Sequence, residues 1–416
     1  MKIAKLFFPG IYEDAYVYMG RLFILTEQRT ILVYDLDKLV NSLEQDSEKR
    51  VSGSLPIPTY MFSRNDWLSS SQFKSLLRNL GMYSSFLSAF EQFPQPYFEV
   101  DKKDFLLKEQ ELDISDPVIL DTLIYNERLY MGATNGFYQI DITWDKKGPV
   151  TLGKTEKKID ARCLSTSARY GTVNASCNEE GLFTFVDDFG WWEQGKSSRM
   201  QTLANKSLKT SWIGLDIVNY SGYDHLDLFR SNSEKTQVKL EPEGRVLVGI
   251  DSNGQDLSYL FEAVQARYNI PTEKIQFTFN SSNRLFLHTD AGFLHSIQIH
   301  SENDIIQLGK AKVSKETTNR ILSINSTKLG PVIETSDQVA LVLDKNGQIF
   351  TLSESGALVV RTFPRSKRFQ NMVAIVDDNG VFLVSLFDES EFEKKHFNAL
   401  KYEEYPNLEE IEDFFR

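Results

Sequence analysis

The segment Gly190-Trp191-Trp192-Glu193-Gln194-Gly195-Lys196-Ser197 satisfies G-x-x-x-x-G-K-[ST] letter by letter. That is the pattern of a phosphate-cradling loop, in which backbone N–H groups wrap the phosphates, the lysine reaches the terminal ones and the hydroxyl holds Mg²⁺. Gly190, Gly195, Lys196 and Ser197 would take those roles. The run LFTFV precedes them, and MVAIVDD at 372–378 reads as an apolar strand ending in a carboxylate. The context points elsewhere. Such a loop belongs to a parallel α/β sheet, whereas the flanks here read as hairpins, and two tryptophans fill the place where close phosphate approach favours small residues. Asp188-Phe189-Gly190 matches a kinase triplet, but no other kinase motif accompanies it. The same stretch is also a surface. Phe189, Trp191 and Trp192 sit in a polar loop after a strand, and Trp is enriched among interface hot spots. Either the rings fold back onto neighbouring structure or they dock a partner.

The other chemistry-bearing residues form weaker sets. His288, His295 and His300 fall in or beside one hairpin near Asp290, short of the three or four convergent ligands zinc needs. Asp251, Asn253 and Glu262 match ligand positions of a calcium loop. Its middle fails, with Gln255 at the third ligand and Gly254 two places early, so Asp251 reads as an ordinary turn residue. No metal or cofactor is expected. Cys163 and Cys177 are the only cysteines. They flank a turn centred near Tyr170 and are expected to face each other as buried thiols in a reducing cytosol. Arg361, Arg365, Lys367 and Arg368 form a basic cluster, read as a solvated loop with phosphate contact as the alternative. No G-x-S-x-G, H-E-x-x-H or paired-cysteine motif is present.

These residues must be positioned by strands. Short apolar or alternating runs separated by turn residues dominate the chain, for example at 14–26, 128–142 and 284–299. One turn recurs as Asn135-Gly136, Glu180-Gly181, Ser221-Gly222, Ala291-Gly292, Ser336-Asp337 and Asn379-Gly380, and Gln28-Arg29 fits the same place. Such turns favour residues that tolerate φ > 0. The intervals are 45, 41, 45 and 43 residues, with one longer step of 70 between Gly222 and Gly292. That step holds DLSYLFEAVQARYNI, a helical spacing, so it reads as one blade plus a helical insertion. A four-stranded propeller blade repeats at about 40–45 residues. The chain thus resembles the β-propeller superfamily, with WD40-like repeat architecture but no WD or Kelch signature. The resemblance covers most of the chain and implies an all-β fold, a single propeller of about seven four-stranded blades; six and eight also fit the spacing. A pair of β-sandwiches is the alternative, but it leaves the steady period unexplained. The resemblance transfers no functional residues.

The propeller is assigned to 1–36 and 112–388, with Lys2–Phe8 closing the last blade beside 381–387. Residues 37–111 depart from the repeat. Leu36, Leu39, Val40 and Leu43 form one helical stripe; Phe73, Leu76, Leu77 and Leu80 form a second, with Gly81 suited to a helix end. Phe86, Leu87, Phe90 and Phe93 form a third, stopped by Pro94. This helical insertion either covers a propeller face or docks a partner. The acidic tail, 389–416, ends in NLEEIEDFFR. Asn407 and Glu410 suit a helix start there, and Leu408, Ile411, Phe414 and Phe415 supply an apolar side for docking.

The chain carries 46 Lys+Arg against 58 Asp+Glu, a net charge of −12. This balance argues against nucleic acid as a partner. The first residues hold too short an apolar run for a signal peptide, and no run reaches the ~20 residues of a membrane span, so a cytoplasmic location is expected. The functional expectation is a non-catalytic scaffold. It would hold other proteins through a propeller face, the insertion or the tail, within a multi-protein complex of a defence setting, with no small-molecule substrate identified. The defence setting is suggested by the insertions and the lack of chemistry. The alternatives are an NTPase using 190–197 and a propeller enzyme with its site in the central channel.

Overall fold

The computed structural model describes residues 1–45, 57–62, 80–92, 97–101, 105–114, 118–144, 150–186, 200–222, 226–239, 245–256, 258–270, 275–301, 304–313 and 321–387. They form seven antiparallel sheets in a ring. Strand β1 (Lys2–Pro9) is set aside for the closure. Blade one is β2 (Tyr12–Tyr18), β3 (Arg21–Thr26), β4 (Thr30–Asp35) and β6 (Leu106–Glu111). Blade two is β7 (Ile119–Tyr125), β8 (Arg128–Ala133), β9 (Gly136–Trp144) and β10 (Val150–Ile159). Blade three is β11 (Ser165–Arg169), β12 (Thr172–Ser176), β13 (Leu182–Val186) and β14 (Gln201–Ala204). Blade four is β15 (Lys209–Ile213), β16 (Asp216–Tyr220), β17 (Leu226–Lys239) and β18 (Arg245–Asp256). Blade five is β19 (Ile275–Ser281), β20 (Arg284–Thr289), β21 (Phe293–Ser301) and β22 (Asp304–Lys312). Blade six is β23 (Ile321–Ser326), β24 (Pro331–Thr335), β25 (Val339–Val342) and β26 (Ile349–Ser353). Blade seven is β27 (Val359–Thr362), β28 (Met372–Asp377), β29 (Gly380–Phe387) and β1, with β5 (Tyr97–Glu99) added parallel to β1. The chain is therefore a seven-bladed β-propeller with four-stranded repeats.

The ring closes through β1, which pairs with β29 from Lys2↔Phe387 to Pro9↔Gly380. The first strand of each blade lies innermost, and the seven inner strands touch in the cycle β2, β7, β11, β15, β19, β23, β27 and back to β2. Core side chains fill the spaces between blades. Phe23 and Val33 of blade one pack with Met131 and Ile140 of blade two. Leu341 of blade six packs with Val373, Ile375 and Leu386 of blade seven. Each such apolar side chain contributes roughly 1.5–3 kcal/mol on burial, so a blade is stable only against its neighbours.

The repeated sequence turn is the connection between the second and third strands of every blade. Left-handed backbone occurs there at Arg29, Gly181, Gly292 and Gly380. At Gly181 a Cβ would also lie 2.1 Å from the Ala204 carbonyl oxygen. The other hairpin, between the first and second strands, uses positive φ still more: Met19-Gly20, Asn126-Glu127, Tyr170-Gly171, Gly214, Ser282 and Gly330. Two-residue hairpins whose twist matches that of their strands need this conformation. Several of these residues are not glycine, which hid the turn in the sequence.

The long step in the repeat has two causes. Strands β17 and β18 run to 14 and 12 residues, and a helix at Ser258–Tyr268 follows. Asp251 lies within β18, not in a turn, and its carboxylate accepts a hydrogen bond from Asn232 at 2.7 Å.

Between β4 and β5 the structure describes α1 (Leu36–Gln45), α2 (Ile57–Met61) and α3 (Leu80–Glu91); the helix at 258–268 is α4. The α1 stripe Leu36, Leu39, Val40 and Leu43 is buried, joining Tyr60 and Met61 of α2 against blades seven and one. Two details differ from the sequence reading. Gly81 is the second residue of α3, and the helix runs on past it to Glu91. Leu106–Glu111 is the outer strand of blade one, paired with β4 from Thr30↔Glu111 to Tyr34↔Leu106, so the helical part of 37–111 ends before it. A strand whose partner is over seventy residues away carries no local signal of its pairing.

Candidate functional site

Polar side chains from the inner strands converge in the channel. Arg361 on β27 reaches both carboxylate oxygens of Asp14 on β2, Nε at 3.1 Å and Nη2 at 2.6 Å. The same Nη2 lies 2.7 Å from Asp121 on β7. Asp14 also accepts from the Thr122 hydroxyl at 2.6 Å and the Ala15 N–H at 2.8 Å. Asp121 accepts from the Thr166 N–H at 2.6 Å and its hydroxyl at 3.1 Å. One cation and two carboxylates thus tie blades seven, one, two and three together. Burial works against the Arg361 charge, but Asp14 and Asp121 outweigh it and raise its pKa above the ordinary value. A guanidinium so held is a structural cross-tie.

Lys209 on the inner strand β15 and Glu334 on β24, the second strand of blade six, also feel these charges. Burial lowers the Lys209 pKa, opposed by Asp121 and Glu334. Burial raises that of Glu334, opposed by the Ser323 hydroxyl and Lys209. No hydrogen bond or ion pair joins the two side chains among the described residues, so the shifts reflect burial rather than a catalytic pair. Neither residue lines the cavity described next.

Where the inner strands end, the channel widens into a cavity of about 1090 Å³. Its lining includes Arg169, Arg361, Arg365, Lys367 and Arg368, and no Asp or Glu among the described residues. The loop after β27 runs across this rear mouth. Arg365 donates to the Ala168 carbonyl of blade three at 2.9 Å. Arg368 is held by Asp37 at 2.8 Å and stacks on Phe62, 4.2 Å from the ring centre. The basic cluster read as one solvated loop is therefore divided: Arg361 is inside the channel, Arg368 clamps the insertion, and Arg365 and Lys367 are exposed.

At the opposite end, exposed apolar residues recur where the inner strands of four blades begin. Ile11, Val118, Leu120, Leu322 and Leu358 are 36–60% exposed. They stand at or just before the starts of β2, β7, β23 and β27, in blades six, seven, one and two, which are consecutive around the ring. Sequence reasoning missed this crescent. The available signal was a large apolar residue at the opening of several repeats, which looks like core until the inner strand is known.

The sequence candidates Phe189, Gly190, Trp191, Trp192, Gly195, Lys196 and Ser197 lie outside the described residues, as do Leu408, Ile411, Phe414 and Phe415. The strands flanking the tryptophan segment, β13 and β14, are antiparallel neighbours in one blade, whereas a phosphate-cradling loop joins a parallel strand to a helix. At the end of MVAIVDD, Asp377 accepts the Asn379 N–H at 2.8 Å in the β28–β29 turn. His288 pairs across the sheet with Leu294 and His295 with Leu287, which separates the two rings by strand register. Among the described residues no three His, Cys, Asp or Glu side chains converge as metal ligands. Cys163 and Cys177 are buried thiols, and hydrogen bonding to Cys177, with burial, pushes the Cys163 pKa up. No described helix is long and apolar enough to cross a membrane.

No family model matches the chain, and no curated protein matches it. Solved structures with a similar fold include YCF48 bound to D1 peptide, 8% identical, with 93% of this chain and 96% of that one covered and a TM-score of 0.45. The Pan2 WD40 domain of Neurospora crassa is 7% identical over 91% of this chain and 90% of its own, with a TM-score of 0.44. The Cps50 (Swd1) β-propeller domain of Myceliophteria thermophila is 10% identical over 66% of this chain and all of its own, with a TM-score of 0.37. At these identities the likeness concerns the fold alone.

Proposed function

We propose that this propeller is a non-catalytic scaffold that holds other proteins within a multi-protein assembly. The observation that carries this reading is the crescent of Ile11, Val118, Leu120, Leu322 and Leu358, large apolar side chains each exposed where the inner strands of four successive blades begin. Contiguous exposed apolar surface with a polar surround marks protein contact sites. The channel charges support the same reading, because Arg361 is occupied by two carboxylates. The helical insertion, the tryptophan loop and the acidic tail are proposed as further contact elements. The proposed setting, on the insertions that distinguish it from a plain propeller, is a cytoplasmic host-defence complex.

The test is quantitative mass spectrometry of proteins that co-purify with the full chain and with Leu322→Glu plus Leu358→Glu. Both positions are surface-exposed, so the variant is expected to melt like the parent and to lose its partners at least about tenfold. An unchanged partner set refutes the crescent as the contact surface.

A further inference from the structure

The rear mouth carries charges that the scaffold reading does not use. Arg169 stacks on Tyr170, 4.5 Å from the ring centre, and donates to Asn283. Among the described residues Arg365 donates to one backbone carbonyl, that of Ala168 on blade three. Neither has a carboxylate partner among the described residues, although the chain as a whole carries a net charge of −12. Burial lowers the Arg169 pKa, and the charge of Arg365 lowers it further. Two adjacent guanidinium groups repel each other and attract anions, and Arg is suited to bidentate binding of phosphate oxygens. The same cavity is lined by Ser167, Ser281 and Asn325, whose side chains already hydrogen-bond within the propeller. Tyr16 and Phe363, in edge contact at 5.4 Å, supply an aromatic wall.

We propose that this mouth is a binding site for a small organic phosphate, with Arg169 and Arg365 on the phosphoryl group and the Tyr16–Phe363 wall beside the organic part. A small molecule is favoured over a protein segment for two reasons. Ligand pockets for small molecules measure roughly 300–1,000 Å³, close to this cavity. The Arg365 strap also spans the opening from blade seven to blade three. The site lies at the opposite end of the channel from the apolar crescent, so the two proposals fail independently.

The experiment is isothermal titration calorimetry on the full chain with phenyl phosphate, with inorganic phosphate, phenol, sulfate and a phosphoserine peptide in parallel. Phenyl phosphate is expected to bind more tightly than inorganic phosphate, with affinity falling as salt is raised, and phenol not at all. Arg365→Gln, on the exposed loop, should weaken binding at least about tenfold. Arg169→Gln should do the same, provided it melts like the parent, and Lys196→Ala should leave binding unchanged. The proposal is overturned if phenyl phosphate does not bind, if sulfate binds equally well, if Arg365→Gln binds as the parent does, or if only the phosphopeptide binds.

Discussion

Arg361→Met should destabilise the ring without touching any apolar core. The side chains concerned are little exposed, 20% for Arg361, 6% for Asp14 and 15% for Asp121. Removing one partner of a buried pair leaves uncompensated charge and typically costs about 3–5 kcal/mol. Here two carboxylates lose their shared cation, but Asp14 keeps Thr122 and the Ala15 N–H, and Asp121 keeps both Thr166 donors. That places the cost near the lower end, about 3 kcal/mol. An unfolding entropy of about 2.1 cal/mol/K per residue amounts to about 0.9 kcal/mol/K for a chain of this size, so Tm should fall by about 3–4 °C. Differential scanning calorimetry reads this directly. A triple variant, Arg361→Met with Asp14→Asn and Asp121→Asn, should recover most of the loss, because no buried charge is left unpaired. A fall below about 1 °C would place the triad with solvated surface pairs and refute the cross-tie, as would a triple variant no more stable than the single one.

A second prediction concerns acid. Burial, then Lys310 and His288, lowers the His295 pKa from 6.5 to about 4. The unfolded chain therefore takes up a proton that the folded ring refuses. Stability from this group is full above about pH 6.5 and is lost as pH falls toward 4, by up to about 3 kcal/mol; urea midpoints for His295→Gln should show a flatter slope across that window. A third concerns the tryptophan segment. Trp191→Ala plus Trp192→Ala should weaken partner binding by about 2 kcal/mol, roughly thirtyfold, with Lys196→Ala nearly silent. Affinity measurements on variants that melt like the parent decide it, and the reverse ranking would favour phosphate chemistry at Lys196.

The propeller was legible because its signals are local and repeated. The turn between second and third strands lies at Gln28-Arg29, Asn135-Gly136, Glu180-Gly181, Ser221-Gly222, Ala291-Gly292, Ser336-Asp337 and Asn379-Gly380. Its spacing points to a propeller of about seven blades, and the closed ring of seven sheets fixes the number. The stripe Leu36, Leu39, Val40 and Leu43 was equally legible, since a helix brings those residues to one face within two turns. Tertiary structure alone decided what each charged or apolar residue faces. Arg361 and Asp14 are 347 residues apart in the chain and meet only because the ring closes. Leu106–Glu111 joins blade one across the intervening helices. Ile11 and Leu358 resemble strand-core residues in sequence, yet stand exposed at the rim because their positions fall where inner strands begin. Local turn chemistry acts on a few neighbouring residues and can be read from them. Convergence at a channel depends on how seven sheets pack in a circle, and no short stretch of sequence carries that geometry.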